Sequence, residues 1–91
     1  MRIRTYATLR DLLGVSAINL ALSGPADIRA VLDRLAEDFP ALRGKLWDSE
    51  GHWSGFVTVL LNGRSVEYLQ GLETPVQEDD HISLFPPVGG G

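Results

Sequence analysis

The sequence contains no cysteine, which excludes a disulfide framework, a cysteine-ligated zinc knuckle and a thiol redox pair. Lysine occurs once, at Lys45, and methionine once, at Met1. Positive charge is scarce: eight basic residues stand against twelve acidic ones, giving a formal net charge of −4. A dedicated nucleic-acid binder needs a basic stripe to displace counterions, so this balance argues against that class and suits basic surfaces on protein partners. No apolar run approaches the roughly 20 residues that cross a bilayer. The opening Met1-Arg2-Ile3-Arg4 lacks the apolar stretch of a signal peptide. The expectation is a cytoplasmic protein with no membrane or nucleic-acid partner. At 91 residues the chain has room for one core.

Self-contained catalytic chemistry is also missing. His52 and His81 have no neighbours at metal-ligand spacing, so no metal site is expected. Glu78-Asp79-Asp80 is a solvated acidic turn, and Arg43-Gly44-Lys45 lacks the glycine spacing of a phosphate loop. The serines have neither a base nor a nucleophile-elbow context. Trp47 and Trp53 bracket a loop, where core packing and a surface anchor explain them equally well.

What is present is a regular alternation of strand and helix signals. Residues 2–6 alternate, with Ile3 and Thr5 inward and Arg2, Arg4 and Tyr6 on the opposite face. Residues 8–14 read as a short helix opened by Thr8 and closed by Gly14. A second alternating run covers residues 17–22. Ile28, Val31, Leu32, Leu35, Ala36 and Phe39 then recur at helical spacing, with Asp27 as N-cap and Pro40 as terminator. Arg29, Asp33, Arg34, Glu37 and Asp38 form the solvated face of that helix. Residues 42–47 predict a further turn, residues 48–55 a loop, and residues 56–61 a strand followed by the turn pair Asn62-Gly63. Glu67-Tyr68 reads as a short edge strand and residues 81–85 as the last strand. This order predicts an α+β fold with a mixed sheet packed on one main helix.

Period-two counting predicts a second, misplaced apolar surface. With Ile3, Val57, Val59, Leu61, Ile82 and Leu84 facing the helix, Tyr6, Phe56, Leu60 and Phe85 fall on the outer face. Large apolar groups there predict a partner surface.

The chain closes on Phe85-Pro86-Pro87-Val88-Gly89-Gly90-Gly91. Two adjacent prolines stop any ladder and favour a stiff extended form, and glycine approaches another backbone closely. Pro86, Pro87, Val88, Gly89 and Gly90 therefore suit threading into a narrow channel of a partner. The carboxylate on Gly91 is ionised at neutral pH and is a poor electrophile. Once activated as an acyl-adenylate, it is open to sulfur, leaving a thiocarboxylate, or to an amine, leaving an isopeptide bond. Neither reaction requires a catalytic side chain on this chain. The organisation expected is a domain over residues 1–85 and a functional tail over residues 86–91.

The segments YATLRDLLG, GLETPVQEDD and LFPPVGGG, together with the helix between them, resemble the MoaD/ThiS sulfur-carrier family, prokaryotic relatives of ubiquitin with the β-grasp fold. The resemblance implies that a ubiquitin-activating-type enzyme (MoeB/ThiF-like), using ATP, adenylates Gly91, and that sulfur transfer makes it a thiocarboxylate. Nothing is expected to bind the chain itself as a cofactor. In MoaD proteins the tail enters the large, MoaE-like subunit of molybdopterin synthase and supplies sulfur for the molybdenum cofactor. Carried over by motif position, Gly91 is the reacting residue, and Tyr6, Arg10 and Phe85 fall where the family faces partners. Gly89 replaces the usual Ser, Thr or Ala, which loosens the stalk. Asp79-Asp80 replaces the usual Gly-Asp, a change that a left-handed turn tolerates. GLETPV and the long middle loop also resemble small protein modifiers and carriers serving cysteine synthesis, thiamine synthesis or tRNA thiolation. The leading expectation is the molybdopterin synthase small subunit. A ubiquitin-like modifier and a non-catalytic β-grasp interaction module are the rivals.

Overall fold

A computed structural model describes residues 1–86. Five strands form one mixed sheet in the order β2-β1-β7-β4-β5. They are β1 (Arg2–Thr5), β2 (Ala17–Asn19), β4 (Thr58–Leu61), β5 (Arg64–Ser65) and β7 (His81–Phe85). β3 (Ala26–Asp27) and β6 (Pro75–Val76) pair separately. The helices are α1 (Ala7–Leu13), α2 (Ile28–Asp38) and α3 (Pro40–Leu46). β7 lies at the centre of the sheet, parallel to β1 and antiparallel to β4.

Alternation decides which side of the sheet is dry. Ile3, Thr5, Val57, Val59, Ile82 and Leu84 are all buried, and the register pairs Ile3 with Ile82 and Val59 with Leu84. Leu61, at the far end of β4, is half-buried. Thr5 is the polar member of this face. Its hydroxyl donates to the Val15 carbonyl at 2.6 Å, which offsets the cost of taking it out of water.

Against this face α2 lays Ile28, Val31, Leu32, Leu35 and Ala36, all buried. Fully burying a side chain of this size contributes about 1.5–3 kcal/mol. Its start is fixed as the sequence predicts: the Asp27 carboxylate accepts from the Ala30 N–H at 2.9 Å. Pro40 does end α2, but it also begins α3, at a first-turn position where a missing N–H costs nothing. The turn expected over residues 42–47 is thus a seven-residue helix that buries Leu42 and Leu46.

Four boundaries differ from expectation. α1 starts at Ala7, not Thr8: Tyr6 is its N-cap with no side-chain bond, and Ala7 takes φ +53° to turn the chain out of β1. β2 ends at Asn19, opposite Arg2. One further pair of bonds lies beyond the strand: the Leu20 N–H donates to the Met1 carbonyl and the Met1 amine to the Leu20 carbonyl, both at 2.9 Å. β4 begins at Thr58, since the Phe56 N–H is already bonded to the Ser54 hydroxyl at 3.2 Å. Glu67-Tyr68 is not a strand. Residues Val66–Tyr68 form a 3₁₀ turn, opened by the Ser65 hydroxyl accepting from the Glu67 N–H at 3.3 Å, and the edge strand is β5. A serine at this position competes with the ladder for backbone donors.

The β4–β5 hairpin turns on Asn62 and Gly63, at φ +51° and +85°. Positive values at both central positions match the twist of the flanking strands, and Gly at the second adopts its positive φ without the strain an L side chain would carry. Asn62 also reaches β7: its N–H donates to the His81 carbonyl at 2.8 Å, and its side-chain oxygen accepts from the His81 N–H at 2.9 Å. The acidic turn before β7 survives without a left-handed residue. Asp80 closes it, accepting from the Gln77 N–H at 2.7 Å and from the Asn62 amide at 3.0 Å.

Candidate partner-binding face and tail base

Two hydrogen-bond rows organise the outer face of the sheet. One runs Arg4, Ser83, Leu60 and Ser65 across β1, β7, β4 and β5. In the next, Phe85 pairs with Thr58, and Tyr6, the residue after β1, stacks on Phe85 with centroids 4.4 Å apart and planes 5° from parallel. Leu60, Tyr6 and Phe85 are half-buried, whereas Arg2 and Arg4 are exposed. Arg2 and Arg4 make no ion pair among the described residues. An apolar strip edged by free guanidinium groups therefore lies on a chain of net charge −4.

The stack forms because Tyr6 and Phe85 leave parallel neighbouring strands at the same level. Such an aromatic pair contributes about 0.5–1.5 kcal/mol beyond its buried area. It also fixes the last residue of β7, and with it the direction in which Pro86 departs.

The other predicted partner residues lie elsewhere. Arg10 is exposed on α1, with its side chain 3.9 Å from Asp11. Phe56, 59% exposed, precedes β4 and stands apart from the two rows. It lines a hollow of about 410 Å³ with Leu9, Leu12, Lys45, Val57 and Pro86. Pro87, Val88, Gly89, Gly90 and Gly91 lie outside the described residues. Sequence reasoning placed Arg2 and Arg4 on the outer face but did not count them in the partner surface, and it missed the hollow. Arg2 and Arg4 were legible as period-two partners of Ile3 and Thr5. The hollow was not, because it joins residues of α1 and α3 with the segment just before β4 and the residue just after β7, which no local spacing connects.

Trp47 and Trp53 pack edge to face at 5.7 Å against the core, with Arg29 5.3 Å from the Trp47 ring. This explains the loop-bracketing pair as packing. Two carboxylates sit below their ordinary range. Asp48 is lowered chiefly by the His52 and Glu50 N–H groups, at 2.9 and 2.8 Å. Glu78 is lowered first by the Leu22 N–H at 2.9 Å, then by the Met1 amine. Both serve loop backbone rather than a reacting centre. Among the described residues no helix is long and apolar enough to cross a membrane.

The mixed sheet wrapped on α2 is the ubiquitin-like β-grasp fold, and comparison with known proteins agrees. The crystal structure of small archaeal modifier protein 1 from Haloferax volcanii superposes with a TM-score of 0.88 at 28% identity, covering 100% of this chain and 98% of that one. Small archaeal modifier protein 3 from the same organism is 35% identical over 91 residues, covering 100% of this chain and 98% of its own. The sulfur carrier protein CysO of Mycobacterium tuberculosis is 30% identical over 64 residues, 68% of this chain and 69% of its own. The ThiS family model matches residues 3–91. The chain belongs to the ThiS family, and so to the ubiquitin-like sulfur carriers and modifiers.

Proposed function

We propose that the carboxyl group of Gly91 is the reacting group, activated as an acyl-adenylate with ATP by a ubiquitin-activating-type enzyme and converted to a thiocarboxylate that donates sulfur. The observation carrying this reading is the placement of Phe85 and Pro86. A central strand, braced by the Tyr6 stack, ends at one defined point of the fold, and Pro86 follows it there as the first residue of the proposed tail. The apolar strip of Leu60, Phe85 and Tyr6, with Arg2 and Arg4 beside it, is the docking face for the activating enzyme and the acceptor. Arg10 and Phe56 extend that contact around the base of the tail. Pro86, Pro87, Val88, Gly89 and Gly90 thread into the partner, which supplies the catalytic side chains. Positioning the acyl carbon in such a channel is itself a large share of catalysis.

Among acceptor pathways, molybdopterin synthase is our first reading, with this chain as the sulfur-donating small subunit and a MoaE-like protein as the large one. The modifier reading has a specific observation behind it as well, the full-length match to the two Haloferax modifiers. One experiment tests the shared chemistry. Purified chain, ATP and the cognate activating enzyme should release pyrophosphate. A sulfur donor should then yield a product in which one carboxyl oxygen is replaced by sulfur, and deleting Gly91 should abolish both. Absence of pyrophosphate release with the intact chain would overturn the proposal. The acceptor is then read from which product forms, a dithiolene or a lysine adduct.

A further inference from the structure

Two of the five large apolar side chains that stand exposed among the described residues, Leu12 at 42% and Phe56 at 59%, line one hollow of about 410 Å³. Leu9 and Val57, both buried, complete its apolar lining with Pro86. Its volume lies within the roughly 300–1,000 Å³ of ligand pockets. Lys45 is its one charged lining residue. That side chain is exposed and makes no ion pair among the described residues. α3, which carries it, has a second exposed cation in Arg43 and no acidic residue. Gly44, at the rim, supplies an independent observation. It sits inside a seven-residue helix, where glycine is destabilising relative to alanine. Yet a Cβ built there meets nothing within 4 Å, and its φ is not positive. Neither packing nor backbone geometry in this chain calls for glycine at that position. It leaves α3 bare where another backbone can approach.

We propose that this hollow is a docking pocket for one leucine- or phenylalanine-sized side chain borne on an acidic segment of the activating enzyme. The inference rests on the reading that this end of the fold meets that enzyme, and it names what the enzyme must bring. The apolar side chain enters among Leu9, Leu12, Phe56 and Val57. It displaces water from surface that the free chain leaves wet, which is the main favourable contribution. An aromatic anchor at such a contact is the kind of residue whose truncation costs most. A carboxylate beside the entering side chain meets Lys45, whereas a cation there is rejected. A charge at the rim chiefly sets which partner is accepted and how fast it arrives. Gly44 lets the partner's backbone come close over α3. On a chain of net charge −4, acidic segments are repelled over most of the surface, so a cation beside an apolar hollow selects where one can settle.

The test is calorimetric titration of the full chain into the cognate activating enzyme without ATP, so that binding is read apart from reaction. Phe56→Ser changes an exposed side chain and should weaken affinity on the order of tenfold. Lys45→Gln should lose part of the affinity and Lys45→Glu more, with the loss shrinking at high salt. Gly44→Gln separates docking from folding. It should raise the melting temperature, because glutamine favours a helix over glycine, and still weaken binding. Unchanged affinity in Phe56→Ser, or equal or tighter binding in Lys45→Glu, would overturn the inference. So would a change in the methyl NMR signals of Leu9, Leu12 and Val57 on deleting residues 87–91, which would make the chain's own end the occupant. A dimer of the free chain that Phe56→Ser dissolves would overturn it too, by making a second copy the occupant. Equal affinities with continued pyrophosphate release leave the proposed function standing without the pocket. Weakened variants on an enzyme that releases no pyrophosphate leave the pocket standing without the proposed reaction. An unaltered chain that does not bind overturns both.

Discussion

Single residues bind the tail base and the hairpin to the central strand. Asn62 makes backbone and side-chain bonds to β7 on one side and to Asp80 on the other. Replacing it by alanine removes both side-chain bonds and strains a left-handed position. The expected loss is about 1–2 kcal/mol in denaturant unfolding. Tyr6→Ala removes the partner of the Phe85 ring. It should cost about 1 kcal/mol from the lost aromatic pairing alone, and should slow the activating enzyme's turnover more than the stability change explains. A variant with normal turnover would remove the stack from the docking face.

Elements contribute through faces and caps. α2 carries the helix side of the core, so Leu32→Ala should destabilise by about 2–5 kcal/mol, measured by urea unfolding. Asp27→Ala, which removes only the cap on Ala30, should cost about 1 kcal/mol. The apolar spacing of α2, its aspartate cap and the inward set of the strands were legible because each is a local, periodic signal. The 3₁₀ turn at Val66–Tyr68 was not. A serine hydroxyl one residue earlier diverts the backbone there, a competition that propensity cannot weigh. Pro40 was half legible: a proline stops one helix and suits the first turn of the next, and only the burial of Leu42 and Leu46 decides for both. The Tyr6–Phe85 stack was legible as two residues on one face, but not as a contact, because strand order fixes it. The hollow beside Phe56 depends on α1, α3 and the segments next to β4 and β7, and was invisible for the same reason.

At the scale of the whole molecule, charge is divided unevenly. An acidic chain that bares Arg2 and Arg4 on the face proposed for docking should meet its partner at a salt-dependent rate. The double replacement Arg2→Ala, Arg4→Ala should slow association and flatten its dependence on ionic strength, while stability stays within about 0.5 kcal/mol. Stopped-flow binding at two salt concentrations measures both. Acid should loosen the loops first. Asp48 and Glu78 titrate below their ordinary values of 3.8 and 4.5 in the fold. Their stabilising contribution is therefore complete above those values and is lost as pH falls through the lowered folded ones. Asp48→Asn and Glu78→Gln should each flatten the acid limb of stability against pH and leave the neutral plateau shape unchanged.

The parallel pairing of β1 with β7 has one more consequence, for biosynthesis. β1 waits for a neighbour that the ribosome makes some eighty residues later, so the nascent chain has no complete sheet until β7 has been made. Whatever emerges behind β7 is presented only by molecules whose centre is already assembled. On the proposed function, a damaged or half-made copy lacks the platform an activating enzyme would grip, and folding itself becomes the first checkpoint on activation.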